Sequence, residues 1–325
     1  MVILAVDSGT TTTRAWLVED GRVLAGSSGR GGARNVARGD DGFDLLSEVR
    51  AVAEDALRRS GRRWTDVEAL VAFGMITSEL GLEEVQHVEA PADRDDLASS
   101  LRRWAGNRFP APVYLVPGVR RGRDDEVDAD LMRGEETEVM GLLATGQTDP
   151  PLLYLSTGSH TKFVVVDGEG RIAWSMTTLS GELLWALHRE TILSEIVDPA
   201  GELHDLQAVR EGALVSGRDG LSRALFAARV LNRLGRAEPA TCSDFVHGAV
   251  AGADVVSLRA ALGRRGHPPP RVVIGGNTPL AAAYRELLRD EDWVDTLEET
   301  DRPLGALGAW ALFAEATRQP GEGPR

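Results

Sequence analysis

The 325 residues suffice for about two domains, and 42% hydrophobic with 26% charged residues is typical of globular proteins with an apolar core. The net charge of −14 disfavours nucleic acids and anionic membranes as partners, and the single cysteine, Cys242, excludes an internal disulfide and a multi-cysteine zinc site. No run approaches the roughly 20 apolar residues of a membrane span, and no signal peptide is recognisable. We therefore expect a cytoplasmic protein with a buried, structural Cys242.

The first half of the chain begins with three short predicted strands and then alternates helix and strand. The strands are residues 2–8, 14–19 and 22–27, joined by short turns. Residues 43–60 have apolar positions at helical spacing, with acidic residues early and arginines late, which suits the helix dipole. The other elements predicted in this half are strands at 67–75 and 113–116 and helices at 97–104 and 135–143.

The second half repeats this order after residues 146–151, a Gly- and Pro-containing segment that predicts a linker. Its predicted elements are strands at 152–156, 162–167, 171–176 and 271–274, helices between about 181 and 263, and helices at 279–288 and 305–316. Residues 319–325 are predicted to be a frayed end. A β-β-β-α-β-α unit used twice indicates an α/β fold of two domains with a cleft between them.

A repeat at a constant offset of 149 residues relates the two halves, pairing Gly9 with Gly158 and Gly21 with Gly170. Each copy is an apolar strand, a Gly- and hydroxyl-rich turn, and a second apolar strand. The tip of such a hairpin exposes backbone N–H groups and hydroxyls. Two tips in equivalent places of two half-chains could hold a polyphosphate from both sides.

Two further motifs follow predicted strands and each has two interpretations. Asp7 ends a buried strand, where a carboxylate can hold a hydrated Mg²⁺ or cap the turn with a local hydrogen bond. Gly275 and Gly276 follow a strand and precede a helix, so a nucleotide could lie against their backbone. The alternative is a plain helix start, with Thr278 as N-cap before Pro279; the two interpretations are compatible.

Arginines and acids cluster near the end of the first half. Arg120, Arg121, Arg123 and Arg133 flank the acidic residues 124–130, which are a solvated loop or part of a ligand site at the end of a buried strand. In the second case Arg120 or Arg133 would pair with a substrate carboxylate. Glu135 and Glu136 open a predicted helix, either as dipole-favoured acids or as a general base. His160, in the second turn, either contacts a phosphate or packs.

These segments together resemble the sugar-kinase, heat-shock-chaperone and actin superfamily, and more closely the 2-dehydro-3-deoxygalactonokinase family. The resemblance runs in order over nearly the whole chain, and Met132-Arg-Gly-Glu-Glu-Thr137 is its most specific motif. The other motifs that carry it are residues 14–17, 74–78, 116–118, 158–162, 180–183 and 275–278. The chain departs from the family pattern at Ser8, Thr12, Thr77, Thr157 and Thr161, which leaves the exact sugar acid open.

The resemblance implies two actin-like, ribonuclease-H-like domains around a nucleotide cleft. The first would be residues 1–146, with the helix at about 305–318 returning to it, and the second residues 151–304. The implied activity is phosphorylation of the 6-hydroxyl of a 2-keto-3-deoxy sugar acid by ATP and Mg²⁺, with 2-dehydro-3-deoxy-D-galactonate as the first expectation. A kinase of another small sugar or polyol, and a catalytically inactive nucleotide-binding relative, remain as alternatives. The sequence leaves the oligomeric state open, with a homodimer as one candidate.

The resemblance also assigns residues to roles. Glu135 would be the catalytic base, with Glu136 as its neighbour or alternative, and Asp7 would hold the metal through water. The expected nucleotide contacts are Gly9, Thr10, Thr11, Thr12, Gly158, Ser159, His160, Lys162, Gly275, Gly276 and Asn277. The expected sugar-acid contacts are Arg14, Arg34, Ser78, Arg120 and Arg133.

Overall fold

Two β-sheets with the same strand order organise the chain, each in a unit of its own. The structure, a computed structural model, describes residues 1–40, 42–122, 129–266 and 271–318. Arg123, most of the acidic stretch 124–130 and the tail 319–325 lie outside the described residues. The first unit comprises Met1–Asp149, Glu169–Trp174 and the segment from Pro303, and the second comprises Pro150–Gly168 and Ser175–Arg302.

The first unit contains a six-stranded sheet, a small three-stranded sheet and helices from both ends of the chain. Its strands are β1 (Val2–Ser8), β2 (Thr13–Glu19), β3 (Arg22–Gly29), β4 (Ala69–Gly74), β5 (Val88–Glu89), β6 (Arg102–Arg103), β7 (Val113–Leu115), β8 (Val119–Arg121) and β9 (Asp130–Met132). Its helices are α1 (Ala33–Arg38), α2 (Leu45–Ser60), α3 (Arg94–Ser99), α4 (Glu135–Ala144) and, from the end of the chain, α10 (Leu304–Arg318).

The large sheet has the order β3-β2-β1-β4-β7-β6, with β1 antiparallel to β2 and parallel to β4. The central strands β1 and β4 are buried along nearly their whole length, as expected for strands covered on both faces. Helix α2 covers one face with a stripe of apolar residues. It begins at the N-cap Asp44, whose carboxylate accepts from Ser47 N, and ends at Gly61 with φ of 69°.

The second unit contains a five-stranded sheet and the longest helix. Its elements are β10 (Leu152–Thr157), β11 (Thr161–Val166), β12 (Ile172–Thr178), α5 (Ser180–Glu190), α6 (Leu206–Asp219), α7 (Leu221–Arg233), α8 (Pro239–Gly263), β13 (Arg271–Gly275), α9 (Pro279–Leu288) and β14 (Thr296–Thr300). Strand β12 begins in residues that are grouped with the first unit and continues into the second from Ser175. The sheet order is β12-β11-β10-β13-β14, which matches the first five strands of the first unit in order. The predicted duplicated α/β fold is therefore confirmed.

Helix α8 is the core of the second unit. Among the described residues it is the one helix long and apolar enough to cross a membrane, but 72% of its most apolar window is buried inside the fold. It contains Cys242, which is fully buried as predicted. The length and composition of α8 are therefore explained by packing against the helices around it.

Helices α4 and α10 cross at glycines, which lets their backbones touch. A Cβ atom on Gly141 would lie 1.9 Å from Leu304 O, and one on Gly308 would lie 1.8 Å from Thr137 O. No side chain fits at either position. Helix α10 thus supports α4, the helix that begins with Glu135 and Glu136.

Two sequence expectations differ from the structure. The helix predicted over 97–104 is wrong: α3 ends at Ser99, and the chain then forms β6, which pairs antiparallel with β7. Residues 169–174, predicted with the second half, belong to the first unit, where Ile172 bridges Ala92. Backbone pairing with a distant segment overrides the local helical pattern and the simple repeat boundary.

Candidate active site

The first glycine turn lies between β1 and β2 and is closed at its base by hydrogen bonds. Gly9 N donates to Thr12 O at 2.9 Å, and the hydroxyls of Ser8 and Thr13 lie 3.0 Å apart. Thr13 Oγ1 also donates to Gly31 O at 2.8 Å. The base of the turn is therefore buried and rigid, while Thr11 at its tip is exposed.

Helix α1 anchors this turn from behind. Ala33 N donates to Gly9 O at 3.1 Å, and Arg34 N donates to Thr10 O at 2.8 Å. The preceding Gly32 lies so close that a Cβ atom there would be 2.4 Å from Gly9 O. Two carbonyl groups of the turn are thereby held in place by the backbone of residues 32–34.

Asp7 lies at the end of β1, directly before the turn. Its Oδ2 is 3.4 Å from Arg14 Nη1, and 21% of its side-chain surface remains exposed. Burial raises the pKa of Asp7 to about 6, with the Glu135 carboxylate adding to the rise and Arg14 opposing it. Gly74, at the end of the parallel strand β4, leaves room for this carboxylate, since a Cβ there would lie 2.9 Å from Asp7 Oδ1.

The two glutamates that open α4 occupy different environments. Glu136 is fully buried, and its carboxylate accepts from Gly134 N at 2.9 and 2.8 Å and from Thr137 Oγ1 at 2.8 Å. Burial, and secondarily the charge of Glu135, raise the pKa of Glu136 to about 8. Glu136 therefore caps its own helix from inside the fold.

Glu135, by contrast, has an oxygen without a partner. Its Oε2 atom is buried and forms no hydrogen bond within the part of the chain that the structure describes, while the charge of Glu135 acts on Asp7. A buried carboxylate oxygen that is not paired is costly unless a ligand uses it. Of the two glutamates predicted as base, Glu135 is thus the one with an acceptor available for a proton or a ligand.

Arg133 is engaged by the loop that follows β4. Its Nη1 donates to Thr77 Oγ1 at 3.0 Å and its Nη2 to Val85 O at 2.7 Å. Thr77 Oγ1 in turn donates to Gly74 O at 3.0 Å. Burial lowers the pKa of Arg133, although nearby Glu136 opposes this. Arg133 therefore connects α4 to the segment that begins at Gly74.

The other predicted sugar-acid residues differ in how much they are engaged. Ser78 Oγ donates to Met75 O at 2.7 Å and accepts from Leu80 N at 3.2 Å, which is a turn contact.

The arginines predicted for the sugar acid lie in different places. Arg120, on β8, forms an exposed ion pair with Glu89. Arg14 is half-exposed beside Asp7, and Arg34 lies on α1 next to the first turn. The structure thus brings Arg14 and Arg34 to the glycine turn.

The second glycine turn lies between β10 and β11 and is anchored in a similar way. A Cβ atom on Gly181 would lie 1.9 Å from Gly158 O, and Glu182 N donates to Ser159 O at 2.8 Å. His160 Nε2 is 4.0 Å from Glu182 Oε2, and both side chains are about 40% exposed. The first turn of α5 thus supports this loop as residues 32–34 support the first one.

Lys162 follows the second turn and is held inside its own unit. It is 6% exposed, and its Nζ donates to Thr177 Oγ1 on β12 at 2.8 Å. The ammonium therefore lies beneath the strand end rather than free in solvent. A positive charge fixed in this way contributes to the field at the loop without losing side-chain entropy on binding.

The glycine pair after β13 is tied to the second turn through threonines. Thr278 is the N-cap of α9, accepting from Ala281 N at 3.0 Å, and Pro279 is the first helical residue, as predicted. Thr278 Oγ1 also lies 2.9 Å from Thr157 Oγ1. Gly276 has φ of 86° and is exposed together with Asn277, so their backbone is accessible beside this helix start.

A buried polar cluster beneath the second turn escaped the sequence analysis. Asp254 Oδ2, on α8, accepts from Thr178 Oγ1 at 2.8 Å, from Ser180 Oγ at 2.5 Å and from the hydroxyl of Tyr284. Burial raises the pKa of Asp254. The signal in the sequence is an aspartate, one of two, within the long and mostly apolar helix α8.

The tips of both turns leave space above their glycines. A Cβ on Gly9 would be 3.6 Å from Thr12 O, and one on Gly158 would be 3.8 Å from His160 O, both ordinary contacts. Neither glycine has the positive φ that side chains avoid. The fold itself therefore does not require glycine at either tip, whereas close approach of a phosphate to the backbone does.

The carboxylates near the first glycine turn suit Mg²⁺ better than a metal ion whose ligands are all protein side chains. Within the described ranges, no three His, Cys, Asp or Glu side chains are grouped to ligate a metal. Mg²⁺ keeps several waters and takes one or two carboxylates together with substrate phosphates. Asp7, partly exposed beside the glycine turn and close to Glu135, fits that requirement.

Comparison with known proteins identifies relatives over nearly the whole chain. Residues 7–311 match the family described as 2-keto-3-deoxy-galactonokinase. The 2-dehydro-3-deoxygalactonokinase of Escherichia coli K12 is 26% identical over 285 residues, 87% of this chain and 88% of that protein.

Two solved structures show the same fold. A candidate 2-dehydro-3-deoxygalactonokinase from Sinorhizobium meliloti has a TM-score of 0.75 at 22% identity, covering 97% of this chain and 98% of that one. The ADPNP-bound activator of the 2-hydroxyisocaproyl-CoA dehydratase of Clostridium difficile has a TM-score of 0.53 at 15% identity, covering 97% and 94%.

Proposed function

The chain belongs to the 2-keto-3-deoxy-galactonokinase family, and we propose that it transfers the γ-phosphoryl group of ATP to the 6-hydroxyl of a 2-keto-3-deoxy sugar acid. The proposed substrate is 2-dehydro-3-deoxy-D-galactonate, and the name of the E. coli relative, 2-dehydro-3-deoxygalactonokinase, supports this class of acid. The observation that carries the proposal is the pair of carboxylates, Asp7 and Glu135, beside a turn at whose tip the fold itself does not require glycine.

ATP is the proposed phosphoryl donor, bound through its phosphates at both glycine turns. Support comes from Gly9 and Gly158, where a Cβ atom would make only ordinary contacts, and from the anchoring of both turns from behind. Gly276 and Asn277 are proposed to contact the nucleoside, because both are exposed at the start of α9. Gly275, the buried last residue of β13, is proposed to bring them there and to line the same place. Anchored turns present their N–H groups without rearrangement when the phosphates bind.

Asp7 is proposed to hold Mg²⁺ through water. When bound, this ion would neutralise charge that develops on the transferred phosphoryl group. Arg14 keeps Asp7 ionised against the effects of burial and Glu135, since its guanidinium is the group that lowers the pKa. The Asp7 carboxylate therefore remains a hydrogen-bond acceptor for metal-bound water at neutral pH.

Glu135 is the proposed general base. Its Oε2 atom is a buried acceptor with no hydrogen-bond partner among the described residues, so it can accept the proton of an attacking hydroxyl. Glu136 cannot perform this step in the same way because its oxygens already accept from the start of α4. The backbone of that helix start also points positive partial charge toward the site.

Arg14 is the residue we propose for the substrate carboxylate, with Arg34 as a second contact. Arg14 is half-exposed, and its separation of 3.4 Å from Asp7 leaves hydrogen-bond donors for another anion. Arg133 is proposed to position the loop from Gly74 to Val85, because its donors are used there. If Arg14 binds the substrate carboxylate, the enzyme should require an acidic sugar as its substrate.

A substrate panel tests this function. Purified protein is assayed for ADP release with ATP and Mg²⁺ on 2-dehydro-3-deoxy-D-galactonate, its C4 epimer, D-galactonate, D-galactose and glycerol, with Glu135→Gln as the blank for contaminating kinases. We expect the highest kcat/KM for a 2-keto-3-deoxy acid, with phosphate on the terminal carbon by NMR. A higher kcat/KM for a neutral sugar or polyol would contradict the proposal that the substrate is a 2-keto-3-deoxy acid.

The same panel separates the enzyme from an inactive relative. Tight ATP binding without turnover on any of these compounds would indicate a nucleotide-binding protein that has lost the chemistry. We propose a cytoplasmic location, in keeping with a small anionic metabolite as substrate, and a homodimer as the assembly. Sedimentation of the purified chain checks the assembly directly.

A further inference from the structure

The second glycine turn is held from both sides by one buried aspartate. Asp254 is 9% exposed and lies in the second half of α8. Its Oδ2 atom accepts hydrogen bonds from three hydroxyl groups, those of Thr178, Ser180 and Tyr284. Two of these residues, Ser180 and Tyr284, are each connected to the turn by a short chain of contacts.

On one side the path runs through the start of α5. Ser180 is the first residue of that helix, and Gly181, the next, has its backbone against Gly158 O. Glu182 N then donates to Ser159 O at 2.8 Å. A hydrogen bond from Ser180 to Asp254 therefore fixes the helical turn on which residues 158 and 159 rest.

On the other side the path runs through α9. The hydroxyl of Tyr284, fully buried, lies 3.4 Å from Thr161 Oγ1, and Thr161 is the buried first residue of β11 after the turn. The ring of Tyr284 packs edge-on against Phe163 with centroids 5.6 Å apart. Asp254 thus restrains the strand that leaves the turn as well as the helix beneath it.

We propose that Asp254 is a positioning residue for the ATP phosphates, which sets the backbone of Gly158–His160 through Ser180 on one side and Tyr284 on the other. This rests on the proposed function, since it requires that the second turn bind ATP. Carboxylates accept stronger hydrogen bonds than amides do, so three hydroxyl donors on one oxygen favour a charged or shared-proton aspartate over asparagine. Displacement of loop donors by a fraction of an ångström lowers affinity and rate together.

The chain supplies a matched control on the same helix. Asp244 is also buried in α8, and its carboxylate accepts from His204 N and Asp205 N at the start of α6. Asp244→Asn weakens a buried contact of the same unit but does not touch the path to the turn. An effect seen for Asp254→Asn but not for Asp244→Asn is therefore attributed to the contacts that connect Asp254 with the second glycine turn.

The first measurement is amide hydrogen exchange of the nucleotide-free protein. We expect Asp254→Asn to speed exchange of the amides in 157–162 and 180–182 about tenfold, whereas Asp244→Asn leaves them at the wild-type rate. The second is calorimetric ATP binding, where we expect about tenfold weaker affinity for Asp254→Asn only. In turnover, kcat should fall about 10- to 100-fold, with the KM of the sugar acid unchanged.

The outcomes separate this inference from the function on which it rests. If wild-type protein fails to bind ATP, the proposed function fails first. If wild type binds ATP and Asp254→Asn matches Asp244→Asn in loop exchange and affinity, Asp254 is an ordinary core residue and the inference is overturned. Should Asp254→Asn not fold, Tyr284→Phe removes one donor and keeps the carboxylate. The same measurements then apply, with a smaller expected effect of about threefold.

Discussion

Gly32 and Gly181 lie 149 residues apart and occupy the same place beneath their respective glycine turns. A Cβ atom on Gly32 would lie 2.4 Å from Gly9 O, and one on Gly181 would lie 1.9 Å from Gly158 O. In both units a helix start without a side chain presses against the carbonyl of the turn's glycine. The duplication therefore extends beyond the hairpins to the elements that support them.

The glycines at the tips and those beneath the turns should respond oppositely to alanine. Gly9→Ala and Gly158→Ala place a methyl group where ATP is proposed to lie, so we expect ATP affinity to fall at least tenfold. The free energy of unfolding should stay within about 1 kcal/mol of wild type, since neither position has positive φ. Calorimetry and urea unfolding measure the two quantities.

Gly32→Ala is the control for this pair. Its methyl group would collide with Gly9 O, so we expect a loss of about 1–3 kcal/mol in the free energy of unfolding. Equal stability for Gly9→Ala and Gly32→Ala would contradict the distinction between tip and support.

Glu135→Gln should abolish phosphoryl transfer while ATP binding persists. The amide is close in shape to the carboxylate but cannot accept the hydroxyl proton, and positioned general bases contribute about 10²- to 10⁴-fold in rate. Steady-state ADP release and calorimetric ATP binding check both parts. Substantial turnover by this variant would show that Glu135 is not the general base, and Asp7 would be the next residue to test.

Glu136 should make wild-type stability fall with rising pH. The carboxyl pKa is raised from 4.5 to about 8 in the folded protein, so the folded state holds its proton longer than the unfolded chain does. The free energy of unfolding therefore decreases as pH rises between about 4.5 and 8.

Glu136→Gln removes this titration and keeps an acceptor for Gly134 N. We expect the variant to gain stability relative to wild type across that window, on the order of 1 kcal/mol or more at pH 8. Urea unfolding at several pH values measures it, with the exposed Glu54→Gln on α2 as control. Parallel profiles for wild type and Glu136→Gln would show that the buried carboxylate does not titrate there.

Arg14 and Arg133 should separate substrate binding from stability. Arg14→Ala removes a half-exposed guanidinium with one loose ion pair, so we expect stability within about 0.5 kcal/mol of wild type. The kcat/KM for the sugar acid should fall about 10- to 100-fold, the value of a charge-assisted hydrogen bond.

Arg133→Ala should instead cost about 1–3 kcal/mol of stability, because Thr77 and Val85 lose a half-buried donor. Thermal unfolding and steady-state kinetics on both variants decide. An unchanged KM for the sugar acid in Arg14→Ala would remove Arg14 from the substrate site.

Regular alternation and long periodic segments made much of the fold predictable. The hairpins β1–β2 and β10–β11, the buried strand β4 and the helices α2 and α9 follow from apolar patterning and capping residues in the sequence. Strands of two or three residues, such as β5, β6 and β9, carry no pattern of their own. They form because a neighbouring strand pairs with them. Strand β6 pairs with β7 in this way, which is why part of the helix predicted over 97–104 is a strand.

The candidate site was predictable where chemistry repeats locally and not where it is assembled by packing. The glycine turns and the acids opening α4 stand out in the sequence because spacing and residue type coincide. The difference between Glu135 and Glu136 depends on which way each side chain leaves the helix, and no pattern in the motif contains it. Asp254 reaches Ser180 and Tyr284 only after three helices have come together.

The glycine crossing of α4 and α10 has a consequence for synthesis of the protein. The helix that begins with Glu135 is braced by backbone from Leu304 and Gly308, which the ribosome produces more than 150 residues later. The side of α4 that packs against α10 therefore stays uncovered until the end of the chain is synthesised. By then the whole second unit has emerged and can fold as a unit. Nascent-chain folding should therefore show the inserted unit maturing ahead of the one whose residues were made first.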